Sequence, residues 1–146
     1  MLGFMKKYKT LLFDVDDTLL DFQKAEKIAL RMLFEEKGLI LTDEIEDRYK
    51  KINKSLWGSF EKGEITRNEI INTRFSILFK EYGEEVDGIL FENNYRSYLE
   101  EGNQLMQGAF EFINQIQNEY DLYIVTNGIS KTQDKRLRNA GLHSLF

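Results

Sequence analysis

The stretch Leu11-Leu12-Phe13-Asp14-Val15-Asp16-Asp17-Thr18-Leu19 runs three apolar residues into three carboxylates within four positions. A short apolar run bounded by turn-forming residues reads as a strand buried on both faces, spanning residues 8–13. At its carboxyl end the chain leaves the sheet, which is where open α/β sheets place their ligands. Asp14 and Asp16 are two positions apart, so a continuing strand points both side chains the same way. Like charges held that close repel in a partly dry site. Either one carries a proton or a cation lies between them, and a hard divalent ion with oxygen ligands, Mg²⁺ above all, is the simplest solution. Asp favours turns, so a D-x-D pattern by itself reads equally well as a solvated turn. An EF-hand calcium loop requires an acid or Asn at its fifth position and Gly at its sixth. Thr18 and Leu19 stand there instead.

A second segment, Ile124-Val125-Thr126-Asn127-Gly128, has the same form: an apolar strand, predicted over 122–125, opening into a hydroxyl, an amide and a glycine. Such groups beside a helix N-terminus can cradle an anion. Taken alone it reads equally as a strand-to-helix turn.

Together the two segments resemble the first and second signatures of the haloacid dehalogenase-like (HAD) hydrolases. Within that superfamily they are most similar to the pyrimidine 5'-nucleotidase-like phosphatases, which often carry Asp at the position of Asp17 instead of the commoner Gly. The resemblance extends to Thr132-Gln133 and Arg136-Leu137. It implies a HAD-like Rossmannoid α/β core with an inserted α-helical cap. It further implies Asp14 as nucleophile and Asp16 as general acid/base. Asp14 and the backbone carbonyl of Asp16 are implied as Mg²⁺ ligands. Thr126, Asn127, Gly128, Asp17 and Thr18 are implied around the substrate phosphate, with Thr18 also shaping the loop. Dehalogenases of the superfamily lack the second acid, so Asp16 points to phosphoryl chemistry. The activity implied is Mg²⁺-dependent hydrolysis of nucleoside monophosphates through an aspartyl-phosphate. A sugar-phosphate phosphatase and a non-catalytic interaction module are the alternatives.

The region between the segments is helical. Ala25, Ile28, Ala29, Met32 and Leu33 mark the apolar face of a first helix ending at Gly38. Asp43 with Glu46 suggests a capping box for a second, with the stripe Ile45, Tyr49, Ile52, Leu56, Phe60 and a stop at Gly63. Thr66 with Glu69 is a stronger box, opening a third helix with Ile71, Phe75, Leu78 and Tyr82 on one face and Gly83 at its end. A fourth is expected over 86–99, and helices over 109–118 and 134–140 flank the second strand, the last stopping at Gly141. The block of four is too long for a simple crossover. The expected organisation is therefore a core from 1–20 and 104–146, with the cap at 21–103. Two strands joined through helix belong in a parallel pair. A third strand is expected to begin at Leu145-Phe146.

Family members continue with a third signature that supplies a Lys and a fourth that supplies acids for Mg²⁺. Neither falls within these 146 residues. Lys131 and Lys135 lie too near the second signature to serve as that Lys. The expectation is a C-terminally truncated, incomplete core, weakly active or inactive by itself, and prone to homo-oligomerisation or strand exchange. The only histidine, His143, reads as a surface or packing residue.

Composition narrows the partners. A net charge of −5 with no Lys/Arg-rich block disfavours a nucleic acid polymer and still permits a small anionic substrate, and the resemblance implies a small phosphorylated metabolite as the partner. The absence of cysteine excludes disulfides, Cys-ligated zinc and thiol nucleophiles, and is compatible with a cytoplasmic protein. No apolar run approaches the ~18 residues of a membrane span. The segment 1–7 is too short and wrongly ordered for a signal peptide.

Overall fold

A computed structural model describes residues 8–146, so the reading of segment 1–7 lies outside the described residues. The elements in chain order are β1 (Thr10–Phe13), α1 (Phe22–Glu36), α2 (Asp43–Glu61), α3 (Arg67–Glu81), α4 (Gly88–Glu101), α5 (Ala109–Ile116), β2 (Asp121–Ile124) and α6 (Ser130–Asn139). A 3₁₀ turn, His143–Leu145, follows α6, just before the point where a third strand was expected to begin. The chain divides into two compact units, one made of the chain up to Lys27 together with Leu99–Phe146, the other of Ile28–Tyr98. The divisions fall inside α1 and α4.

In the first unit β1 and β2 pair in parallel, with Thr10 opposite Asp121 and Phe13 opposite Ile124. The pairing extends one step further, where the Val125 N–H donates to the Phe13 carbonyl at 2.9 Å. The core below the sheet gathers Val15, Leu19, Leu20, Ala109, Ile113, Leu122, Leu137 and Leu142, with Leu11, Phe13 and Ile124 packed against it. The expectation of strands buried on both faces is wrong. Leu12 is 66% exposed and its partner Tyr123 56% exposed, so each strand alternates in the manner of a sheet covered on one face. An apolar run does not distinguish the two cases, because Leu12 has no polar group and the Tyr123 hydroxyl sits at the tip of a large apolar ring that either face accepts. β2 also lies one residue earlier than predicted, and α6 begins at Ser130, four residues before the predicted start. Ser130, Lys131, Thr132 and Gln133 hide that first turn because none is apolar.

The second unit is helical. α1 buries Ala25, Ala29, Leu30, Leu33 and Phe34, while Ile28 and Met32 lie nearer water. The buried stripe is thus rotated by about one residue from the predicted one, since Phe34 outweighs Met32 in apolar area. α2 is capped by Thr42, whose hydroxyl accepts from Ile45 N–H at 3.2 Å, so Asp43 is the first helical residue and not the cap. The Thr66–Glu69 capping box forms as predicted. α4 begins at Gly88, two residues late, because the Asp87 carboxylate takes the N–H groups of Ile89 and Leu90, both at 3.1 Å. Gly38, Gly63, Gly83 and Gly141 all have positive φ, the left-handed stop that glycine adopts without a Cβ clash. Tyr49, Phe75 and Tyr95 form the aromatic centre, with Tyr49 stacked on Phe75 at 5.2 Å. Among the described residues, no helix is long and apolar enough to cross a membrane.

Candidate active site at the carboxyl ends of the two strands

Beyond Phe13 the chain turns around Val15, which is fully buried. The Val15 carbonyl accepts from the N–H groups of Leu19 at 2.9 Å and Leu20 at 3.0 Å, closing a tight loop. Burying Val15 leaves its neighbours on the solvent side. Asp14 is exposed, and its Oδ1 accepts from the Val15 N–H at 2.9 Å. The Asp16 side chain is 34% exposed.

Asp17 has φ +59°, the only positive φ outside glycine among the described residues. This is a region that Gly, Asn and Asp tolerate best. Its Oδ1 accepts from the N–H of Phe22 at 3.0 Å and of Gln23 at 3.4 Å, and Asp21 Oδ1 takes the N–H of Lys24 at 3.1 Å. Two carboxylates thereby satisfy the first three amides of α1, where the helix dipole also favours negative charge. The carboxylate of Asp17 is committed to that helix start. Thr18 is exposed, and its N–H reaches the Val15 carbonyl at 3.3 Å.

On the neighbouring strand, Thr126 leaves the sheet one residue after the last interstrand bond. Its Oγ1 accepts from the Gly128 N–H at 3.1 Å and from Gln133 Nε2 at 3.1 Å. The same Gln133 Nε2 donates to Asp16 Oδ2 at 3.1 Å. Arg136 Nη1 donates to Asp16 Oδ1 at 2.5 Å and to Gln133 Oε1 at 2.8 Å. Its side chain is only 3% exposed, and its guanidinium lies 5.6 Å from the centre of the Phe22 ring, a cation–π distance. Asp16 and Thr126 are thus joined through one amide, while Asn127 is exposed beside them. Sequence reasoning noted Gln133 and Arg136 only as part of the resemblance and assigned them no task. The usable signal was their spacing: residues three apart on a helix share a face.

Lys135 and His143 of this unit are engaged elsewhere. Lys135 pairs with Glu100 at 3.1 Å, and the Glu100 carboxylate also takes the Thr132 hydroxyl at 2.9 Å. His143 Nε2 lies 3.0 Å from Asp134 Oδ1, with the His143 side chain partly exposed. Hard cations take oxygen donors, which Asp14 and the Asp16 backbone carbonyl can supply. Among the described residues no group of three or more His, Cys, Asp and Glu side chains gathers as a complete cage, so these residues fit part of a cation's shell.

The arrangement is that of a ligand site in an open α/β sheet: two carboxylates just past the end of one parallel strand, a hydroxyl just past the end of the next. The chain belongs to the haloacid dehalogenase-like hydrolase family, whose model matches residues 8–146. It is 59% identical over 142 residues to the HAD-hydrolase YfnB of Bacillus subtilis, covering 97% of this chain and 60% of that protein. It is 43% identical over 140 residues to the pyrimidine 5'-nucleotidase PynA of Streptococcus pneumoniae, covering 95% of this chain and 59% of that protein. The crystal structure of YfnB bound to magnesium superposes with a TM-score of 0.94, covering 97% of this chain and 63% of that one. The chain therefore spans about 60% of the length of the curated relatives it matches.

Proposed function

We propose that this chain carries the nucleophile and the acid/base of a Mg²⁺-dependent phosphatase acting on nucleoside 5'-monophosphates. The observation that carries the reading is the pair Asp14 and Asp16 at the exit of β1, with Asp16 bridged to Thr126 at the exit of β2. Two relatives, at 43% and 30% identity, are named pyrimidine 5'-nucleotidases, which supports the substrate class. Haloacid dehalogenases share the fold at 16–17% identity, which speaks for the fold alone.

In this mechanism an Asp14 oxygen attacks phosphorus as the bond to the ester oxygen breaks, and Asp16 delivers a proton to that departing oxygen. The nucleoside leaves as an alcohol. Water then attacks the aspartyl-phosphate, giving its proton to Asp16, and inorganic phosphate departs with Asp14 restored. The Thr126 hydroxyl holds a phosphoryl oxygen throughout. The Asp14 carboxylate and the Asp16 backbone carbonyl would hold Mg²⁺, which would supply charge neutralisation for the phosphoryl group. The substrate is a small phosphorylated metabolite, and the reaction is suited to the cytoplasm.

The test is phosphate release by the full-length gene product from a panel of nucleoside monophosphates and sugar phosphates, with and without Mg²⁺. The expected outcome is Mg²⁺-dependent turnover, highest on pyrimidine 5'-monophosphates and abolished by Asp14→Asn. Preference for sugar phosphates would move the substrate class. Turnover that survives Asp14→Asn would remove the mechanism.

A further inference from the structure

We infer that Gln133 and Arg136 are positioning residues that fix Asp16 and Thr126 relative to one another and set Thr126 as a hydrogen-bond donor toward the substrate. The inference deepens the phosphatase reading and rests on it. A glutamine amide can be placed either way round, but a guanidinium only donates. Arg136 donates to Gln133 Oε1 at 2.8 Å, which turns the Gln133 NH₂ toward Asp16 and Thr126. The NH₂ then spends one hydrogen on the Asp16 carboxylate and the other on the Thr126 oxygen.

The consequence falls on Thr126. Its oxygen accepts two bonds, from Gln133 and from the Gly128 N–H. A hydroxyl has two lone pairs and one proton, so both acceptor sites are used and the O–H is left to donate. Among the described residues no group accepts it. A phosphoryl oxygen is an acceptor only, so the network presents Thr126 in the polarity that an anion needs. Arg136 closes the arrangement by holding Asp16 Oδ1, with its own charge buried against Phe22.

Gly128 belongs to the same device. A Cβ built there would lie 2.7 Å from Gln133 Nε2 and 3.0 Å from its Cδ and Cγ. A Cβ at 128 would require the Gln133 side chain to move from its bonds to Asp16 and Thr126.

Two measurements separate this inference from the activity it serves. The first is a melting cycle on the chain itself, using Gly128→Ala, Gln133→Ala and the double variant. Gly128→Ala should lower the melting temperature by several degrees in the parent and hardly at all in Gln133→Ala, where the obstructing atoms are gone. Full additivity would overturn the placement of Gln133. The second uses the full-length gene product. Gln133→Leu should lower kcat roughly 10–100-fold, the range typical of losing a residue that orients a site group, with KM within about twofold. Gln133→Glu should lower kcat and also raise KM, because the new carboxylate draws the Thr126 proton away from substrate. Wild-type kcat in Gln133→Leu, or a loss confined to KM, would overturn the positioning role. Absence of any Asp14-dependent turnover in the parent would defeat the phosphatase reading, and the melting cycle would still decide whether Gly128 exists to admit Gln133.

Discussion

Arg74 and Glu92 meet in the helical unit through two parallel bonds, Nε to Oε1 at 2.6 Å and Nη2 to Oε2 at 2.7 Å, with side chains 8% and 2% exposed. Asn53 Oδ1 takes a third guanidinium hydrogen at 3.0 Å, and the Tyr95 ring lies 5.2 Å from the guanidinium carbon. Burial disfavours the charged guanidinium, but the oxygens of Tyr49 and Glu92 outweigh it and raise the pKa of Arg74, so the charge persists. Removing one partner strands the other in a dry interior. Glu92→Gln is therefore expected to destabilise by about 3–5 kcal/mol. The pair Arg74→Met with Glu92→Leu should recover most of that loss, since apolar replacements of similar volume carry no desolvation penalty. Urea denaturation of the three variants checks this. A loss in Glu92→Gln no larger than that of a surface ion pair would show the pair to be solvated.

That ion pair also marks what the sequence could and could not disclose. Arg74 and Glu92 sit inside otherwise apolar helix faces, and periodicity treats a buried charge as a solvated one. The elements were legible where a local rule operates: the Thr66–Glu69 box, the left-handed glycines, the parallel pairing of two apolar runs. Asp14, Asp16 and Thr126 were legible as candidate residues because of where they stand at strand exits. Gln133 and Arg136 were not, because their role depends on α6 starting at Ser130 and folding back onto the β1 exit, a tertiary fact. The role of Asp17 was missed for a related reason, since a carboxylate five residues ahead of a helix is not a standard cap position.

The exposed pair of Arg48 on α2 and Glu81 on α3 is expected to give a small, pH-dependent contribution. Two 2.6 Å bonds join them. The hydrogen bond from Arg48 lowers the Glu81 pKa below its ordinary 4.5. A carboxylate with a depressed folded-state pKa contributes stability above its unfolded value, and that contribution is lost as pH falls through the folded value. Glu81→Gln should therefore melt slightly below the parent at pH 7, and the gap should close below the folded-state pKa of Glu81. At about 1 M salt the gap should shrink even at pH 7, because exposed charges are screened. A gap independent of both pH and salt would assign the effect to packing.

Thr66 and Glu69 act reciprocally. The Thr66 hydroxyl accepts from Glu69 N–H at 3.1 Å, and Glu69 Oε1 accepts from Thr66 N–H at 3.3 Å. Thr66→Ala is expected to cost about 1 kcal/mol, the ordinary value for a lost N-cap. Glu69→Ala should cost less, and the double variant should cost less than the two together, because each bond constrains the same turn. Chemical denaturation of the set measures the coupling, and strict additivity would mean that the two bonds form independently.

Asp17 carries two separable demands, a left-handed backbone and a carboxylate for the first amides of α1. Asp17→Ala fails both and is expected to cost about 2–3 kcal/mol, combining a lost cap with a Cβ-bearing residue that lacks a local side-chain bond at positive φ. Asp17→Gly meets the backbone demand and leaves the Phe22 and Gln23 N–H groups to water, so it should cost roughly 1 kcal/mol. Asp17→Asn keeps the conformation and an acceptor oxygen but gives up the charge favoured by the helix dipole, at a cost of about 0.3–1 kcal/mol. The expected order of stability is therefore parent, Asn, Gly, Ala, read by urea midpoints. If Asp17→Gly proved no more stable than Asp17→Ala, the backbone demand would be absent. If the Asn variant fell as far as Gly, the charge would be the whole of the cap.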